Sequence, residues 1–453
     1  VLAAWPVVSG PVTDGAPWAV PALFGAGFAA LWLAARRLGA AAPSWAGILA
    51  VAAVLRLLAL PLAPTLSGDA HRYLWDGRVV LAGENPYRLA PGDPALAGVR
   101  AKAGEAAWRR IEHPDVPTVY PPLSLALFAL AGASPAPLLA WKVLLSAADL
   151  GGCAALLALA RRLGLPPDRT VWYAWNPLVV VEAAGMGHVD ALGVAAAVSA
   201  ALLVVRARQA GGNGADGGGS RWAAAAGAAA AAGVAAKLAP LLALPLWARQ
   251  GRRPWVLLGM AAALLAAVFL PVLAWTGGVP PGLVTFGVSW EWNGPLYEPA
   301  WRLLAAADAD LLVKATLDRV EAWTGRWHLM DPVYPFVYPQ LLAKAGLGLL
   351  LLGAVARSLR DGDPVAGPGR LFGAALLASA TVYPWYLLWV LPWAALARQP
   401  AWLLAAATAP LAYLMAPVGP FDGAPFPWLW LAVWGPPAAL ALLSPRARRW
   451  ATG

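Results

Sequence analysis

The sequence predicts an all-α fold, a polytopic bundle of transmembrane helices, and three observations carry that prediction. Hydrophobic residues make up 60% of the 453 positions and charged residues only 12%. A soluble chain of average composition is roughly 25% charged, so this one lacks the polar side chains to coat a water-facing surface. A disordered chain is excluded too, because such chains are charge-rich and poor in aromatics, whereas 10% of these residues are Phe, Trp or Tyr. The apolar residues also gather into runs, and Arg clusters punctuate those runs at alternate ends.

Apolar runs fall at 17–35, 44–62, 138–160, 171–185, 189–205, 222–236, 238–248, 254–276, 335–357, 371–383, 385–397, 401–419 and 427–444. A bilayer core of about 30 Å asks for roughly 20 apolar residues per helix, so the expectation is about thirteen crossings in one domain over 1–453. Basic clusters lie at Arg36/Arg37, Arg161/Arg162, Arg206/Arg208/Arg221, Arg249/Arg252/Arg253, Arg357/Arg360/Arg370, Arg398 and Arg446/Arg448/Arg449. Placed on one side with Arg169, they give that side 18 of the 33 Lys and Arg but only Asp168, Asp216, Asp361 and Asp363 of the 23 acids. The positive-inside rule makes it cytoplasmic. The N-terminus is then expected outside, the C-terminus in the cytoplasm, and the protein in the plasma (inner) membrane. No secretory signal is expected, since the first 35 residues carry no Lys or Arg. The formal charge of +10 is thus an orientation signal and does not call for nucleic acid. The one cysteine, Cys153, forms no intrachain disulfide and no cysteine metal site.

The linker 209–220 is Gly-rich and reads as flexible. Two long polar stretches fall on the outer side, 63–120 and 277–334, and stretches of that length are usually functional. An interfacial half-helix at 121–134 extends the first loop to 63–134, because a crossing there would break the parity of the spans. Three pairs of runs are too short to span and meet on the outer side: 171–185 with 189–205, 222–236 with 238–248, and 371–383 with 385–397. Non-helical backbone at membrane depth survives where it lines a wet cavity or is buried in protein, so the breaks point to an outward-facing cavity.

Polar residues cluster at these places. After the second span, Asp69, Arg72, Tyr73 and Asp76 share one face of a predicted helix, with the carboxylates about 10 Å apart along the axis. Asp69 reads either as a helix N-cap or as a reactive carboxylate at a membrane exit. Arg72 and Asp76 read as an i, i+4 pair or as site residues. His188 and Asp190 sit at a glycine-bounded turn, where they either bond each other or face substrate. Lys237, before Pro240, either snorkels or meets a phosphate, for which Arg72, Arg78 and Arg302 are alternatives. Glu182 and Asn176 read as buried polar groups, and Trp290-Glu291-Trp292-Asn293 as a lip of the second outer stretch. No spacing matches a metal motif, and no cofactor is implied.

Five motifs carry a family resemblance. DAHRYLWDGRVVLAGENPYRLAP (69–91), HPDVPTVYPPL (113–123), YAWNPLVVVEAAGMGHVDALG (173–193), AAKLAPLLALPL (235–246) and TVYPWYLLWVLP (381–392) follow in an order and spacing that resemble GT-C glycosyltransferases. Within that class they resemble the bacterial polyprenyl-phosphate-mannose-dependent α-mannosyltransferase group, which is glycosyltransferase family 87-like. The resemblance implies a GT-C-like bundle that transfers a hexose, mannose above all, at the outer face. The implied partners are a polyprenyl-phosphate-linked donor, a lipid-linked or cell-envelope glycan acceptor and membrane lipids. It implies Asp69 as general base in an inverting displacement, since a leaving phosphate needs no acid. Around it, Arg72, Tyr73, Asp76, Arg78, Tyr120, His188, Asp190, Lys237, Tyr383, Trp385 and Tyr386 are the expected substrate-binding residues, with Trp385 and Tyr386 able to stack on a sugar. Tyr383 departs from the family pattern, which often has His before Pro-Trp-Tyr. Two other classes fit parts of the sequence: a lipid or glycan transporter or flippase, which shares the broken helices, and an O-antigen-type polymerase or ligase.

Overall fold

A computed structural model describes residues 18–38, 43–210, 216–415 and 426–443. Among them there is no β-strand, only helices and two isolated bridges. Five helices are long and apolar enough to cross a membrane: Ala19–Leu38, Pro137–Arg162, Asp190–Ala210, Pro254–Thr276 and Pro339–Asp361. Shorter apolar helices accompany them at Trp45–Ala59, Pro122–Gly132, Pro177–Met186, Pro400–Met415 and Pro427–Leu443. The 15 residues of Trp45–Ala59 reach only about 22 Å, so long helices stand among short or broken ones.

The short pairs are asymmetric. The run expected to stop at 205 continues to Ala210, and the one expected to start at 222 begins at Asp216. Residues 216–220, expected as linker, therefore form the first turns of a helix; 211–215 lie outside the described residues. The other halves are truly broken. Residues 168–186 form two short helices and a π turn, 239–250 a 3-10 turn and a seven-residue helix, and 384–397 the same combination again. Proline starts or interrupts each broken stretch at Pro177, Pro240, Pro245, Pro384 and Pro392, where its missing N–H and fixed φ stop an α-helix from continuing. The Arg446/Arg448/Arg449 cluster and both chain ends lie outside the described residues.

Burial is concentrated where the broken segments meet. Asp190–Ala210 is largely buried, while Pro254–Thr276 and Pro339–Asp361 keep most of their apolar side chains on the outside, as lipid-facing helices do. One ion pair crosses the interior: Arg56 sits 2.6 Å from Asp149, which also accepts a 2.9 Å hydrogen bond from the Tyr173 hydroxyl. The remaining Arg56 donors reach the carbonyls of Ala52 and Ala174. Every part of that pair is satisfied, as a buried charge requires.

Two devices place the polar stretch that follows Trp45–Ala59. Buried Lys142 donates to the carbonyls of Leu60 and Leu62 at 2.5 and 2.6 Å, closing the end of Trp45–Ala59 and fixing where the chain leaves it. The Asp69–Leu81 helix then lies against Pro122–Gly132, the half-helix expected at 121–134. A Cβ on Gly77 would overlap the Phe128 carbonyl, so this close crossing needs glycine. Beneath it Tyr73 stacks on Phe128 at 4.7 Å and meets Tyr120 and Trp141 edge-on.

The polar stretch 277–334 is helical as well, at Pro281–Ser289, Tyr297–Ala306 and Ala309–Thr324. It is tied to the late motif by a strand-like bridge. Trp292 N–H donates to the Ala380 carbonyl at 2.9 Å, and Val382 N–H donates back to the Trp292 carbonyl at 2.8 Å. Asn293, in the left-handed region at φ 56°, donates from its side chain to the Val382 carbonyl and accepts from the Trp434 indole.

Candidate active site

A cavity of about 290 Å³ opens between the polar stretches 63–120 and 277–334 and the broken helices. Its polar lining is Asp69, Arg72, Glu112, His113, Tyr120, Asp190, Lys237, Ser379, Tyr383 and Tyr386. Residues hundreds of positions apart converge here because each broken segment ends at this depth and turns its polar residue inward.

Asp69 stands in the first turn of its helix, but the N-cap is Gly68, without a side-chain cap, so the carboxylate is not spent on capping. Its Oδ2 accepts a 3.0 Å hydrogen bond from Tyr73, and its backbone N–H donates to Ser67 Oγ at 3.1 Å. The rest of the carboxylate faces the cavity. Tyr73 itself is buried and supports Asp69 from below.

Arg72 and Asp76 form the i, i+4 pair at 2.9 Å. Arg72 also donates to the His113 carbonyl at 3.2 Å and the Val116 carbonyl at 2.7 Å, so its guanidinium is engaged with protein although it touches the cavity. Asp76 is buried behind it; burial pushes its carboxyl up, and Arg72 and Thr118 pull it back down. Neither Asp76 nor Arg78 lines the cavity, and neither does Arg302, which pairs with Glu298.

Asp190 and Lys237 are brought together at 3.3 Å. Asp190 also accepts from the Trp389 indole at 2.8 Å, and the Lys237 ammonium lies 5.7 Å from the Tyr120 ring and 5.4 Å from the Tyr386 ring. A cation held between two rings and one carboxylate is partly shielded yet open to an anion on its cavity side.

His188 does not pair with Asp190. Its Nδ1 lies 2.9 Å from Glu182 Oε2, whose other oxygen accepts from the Tyr413 hydroxyl at 2.6 Å. It is buried and does not line the cavity. Its ring stacks on Trp385 at 3.8 Å, Trp385 on Tyr383 at 4.6 Å, and Tyr383 on Trp292 at 4.8 Å. Trp385 is therefore sandwiched and offers the cavity an edge, not the free face that sugar stacking needs. Tyr386 stands edge-on to both Tyr383 and Trp385.

Sequence reasoning passed over Glu112 and His113. Glu112 Oε1 accepts the Gly68 N–H at 2.8 Å, directly before Asp69. Lost hydration and the nearby Asp69 charge push its carboxyl above the usual range. The stretch 277–334 and the late helices add an apolar wall of Leu283, Phe286, Phe372 and Leu376, with Trp290 packed 4.6 Å from the His113 ring. Among the described residues no three His, Cys, Asp or Glu side chains converge as a metal site would require.

This geometry can hold an anion at Lys237 and take a proton at Asp69, with a lipid tail along the apolar wall. No curated protein and no solved structure matches the chain. A family model does match: alpha-(1->6)-mannopyranosyltransferase, N-terminal domain, over residues 7–250, which is more than half of the sequence and contains Asp69, Glu112, Asp190 and Lys237. The chain therefore belongs to the alpha-(1->6)-mannopyranosyltransferase family, membrane enzymes that transfer mannose from a sugar donor to a glycan acceptor.

Proposed function

We propose that the protein transfers mannose from a polyprenyl-phosphate-linked donor to a lipid-linked or cell-envelope glycan at the outer face of the plasma membrane. The observation that carries this reading is the joint placement of Asp69 and Lys237 on one cavity that also has a long apolar wall. The family's linkage, α-(1→6), makes the nucleophile the primary 6-hydroxyl of an acceptor mannose. Its oxygen attacks the anomeric carbon as its proton passes to Asp69, and the bond from that carbon to the phosphate oxygen breaks. Polyprenyl phosphate leaves as a stable anion beside Lys237, so no acid group is required. One displacement inverts the centre, giving an α product from a β-linked donor. In this reading Tyr383, Tyr386 and Tyr120, which line the cavity, bond the donor sugar, and Asp190 holds Lys237 in position. The positive-inside distribution supports the outward placement of the cavity.

The test is incubation of the purified protein with synthetic polyprenyl-phosphate-mannose and an α-mannoside acceptor, followed by product analysis. Transfer by wild type and its loss in Asp69→Asn, at equal expression and donor binding, is the expected result. Normal turnover in that variant removes Asp69 from the mechanism. Uptake or flipping without transfer would instead favour the transporter reading.

A further inference from the structure

The cavity has a second carboxylate that the reaction above does not use. Glu112 lies at its accessible mouth, with one oxygen fixed by the Gly68 N–H at 2.8 Å. The fit is tight: a Cβ on Gly68 would come within 2.9 Å of Glu112 Cγ and Cδ and of the Arg110 carbonyl. From the other side, Arg72 holds the His113 and Val116 carbonyls. His113 adopts a left-handed backbone at φ 52°, uncommon for a residue with a side chain. The loop carrying Glu112 is thus pinned to both ends of the first turn of the Asp69 helix. That is more fixing than a solvent-facing carboxylate needs, and it leaves the second oxygen, Oε2, without a role.

Charge sorts the substrates within the cavity. A donor phosphate is repelled by Asp69 and Glu112 together and is drawn to Lys237. A neutral acceptor sugar, rich in hydroxyl donors, suits the two carboxylates. We propose that Glu112 binds the acceptor, its Oε2 accepting a hydrogen bond from a ring hydroxyl next to the one that reacts. For attack by a 6-hydroxyl, the nearest such group is the 4-hydroxyl of the same mannose. Glu112 then sets acceptor specificity and turns the nucleophile toward Asp69; the inference rests on Asp69 being the base.

The probes are octyl α-D-mannopyranoside and its 4-deoxy analogue. In Glu112→Ala the acceptor KM rises about tenfold or more, the size expected for a lost hydrogen bond to a charged group, while donor KM stays within about twofold of wild type. Glu112→Gln, which keeps an oxygen for the Gly68 N–H, retains the melting temperature and donor KM and shows a smaller rise of the same kind. Wild type loses affinity for the 4-deoxy probe, and Glu112→Ala loses nothing further. A parallel fall in donor affinity, or a 4-deoxy penalty that persists undiminished in Glu112→Ala, overturns the proposal. Equilibrium titration of the probes in Asp69→Asn and Asp69→Asn/Glu112→Gln needs no turnover. It reads Glu112 separately, so normal turnover in Asp69→Asn would sink the base assignment without obscuring the acceptor result.

Discussion

Asp69 and Asp149 are both carboxylates within a largely apolar helical protein, and their surroundings differ in a way that separates chemistry from architecture. Asp149 is fully buried, with Arg56 at 2.6 Å and Tyr173 at 2.9 Å, and no water or ligand can reach it. Asp69 has one phenol partner at 3.0 Å and an open face on a cavity. A charge inside a protein is tolerated when all its lone pairs are matched. One left partly unmatched beside a cavity is available to a substrate proton. The same contrast holds for cations: Lys142 spends its ammonium on two carbonyls, whereas Lys237 keeps a side turned to the cavity.

The largest expected effect is at Asp69. Asp69→Asn lowers kcat by about 10²- to 10⁴-fold, the usual worth of a general base, with the melting temperature unchanged; single-turnover assays check it. Asp149→Asn should do the reverse. It leaves Arg56 buried without its counter-charge and costs about 3–5 kcal/mol of stability, read as a lower unfolding midpoint in detergent, while kcat per folded molecule holds. If Asp149→Asn cut kcat without loosening the fold, the division between the two carboxylates would fail. Lys237→Met comes next, raising donor KM about 10- to 100-fold through loss of one charged contact and leaving acceptor KM unaltered.

The smallest effect is a pH dependence of acceptor binding. Partial loss of hydration at the cavity mouth lifts the Glu112 carboxyl above the ordinary range, Asp69 lifts it further, and the Gly68 N–H, His113 and His188 oppose the rise. Its charged form is the one that accepts a hydroxyl hydrogen bond. Acceptor affinity is therefore full above that raised pKa and falls as pH drops through it, beginning at a higher pH than an ordinary glutamate near 4.3 would give. In Glu112→Gln this acid limb vanishes; titration with the octyl mannoside from pH 8 to about pH 5 checks it.

Much of the architecture was legible from periodicity and punctuation. The run 254–276 reappears as Pro254–Thr276, and 121–134 as the half-helix Pro122–Gly132. Span lengths were harder: small Ala and Gly residues carry no clear apolar signal, so the helix from Asp216 was read as beginning in a linker. In the site, Asp69, Arg72, Tyr120, Asp190, Lys237, Tyr383, Trp385 and Tyr386 do gather on one cavity, because most of them sit where a helix starts or breaks, and such points are visible as Pro and Gly. The pairing of His188 was not legible. Asp190 is two positions away and Glu182 six, and only the π turn at Val181–Met186 brings Glu182 under the ring. Glu112 left no signal either, since its partner Gly68 lies 44 residues upstream and the bond joins a side chain to a backbone N–H.

The cavity's lining also divides by chain position. Its charged members, Asp69, Arg72, Glu112, Asp190 and Lys237, all precede residue 250; beyond it the lining is Leu283, Phe286, Trp290, Phe372, Ala375, Leu376, Ser379, Tyr383, Trp385, Tyr386 and Trp389, without a charge among them. The charge of the cavity thus comes from one half of the polypeptide alone, while both halves contribute its apolar lining. Substitutions in the later half can reshape the apolar wall of the cavity while leaving its charged groups untouched. The earlier half in isolation would hold those groups on an open trough, where water would compete with the sugar for every one of them.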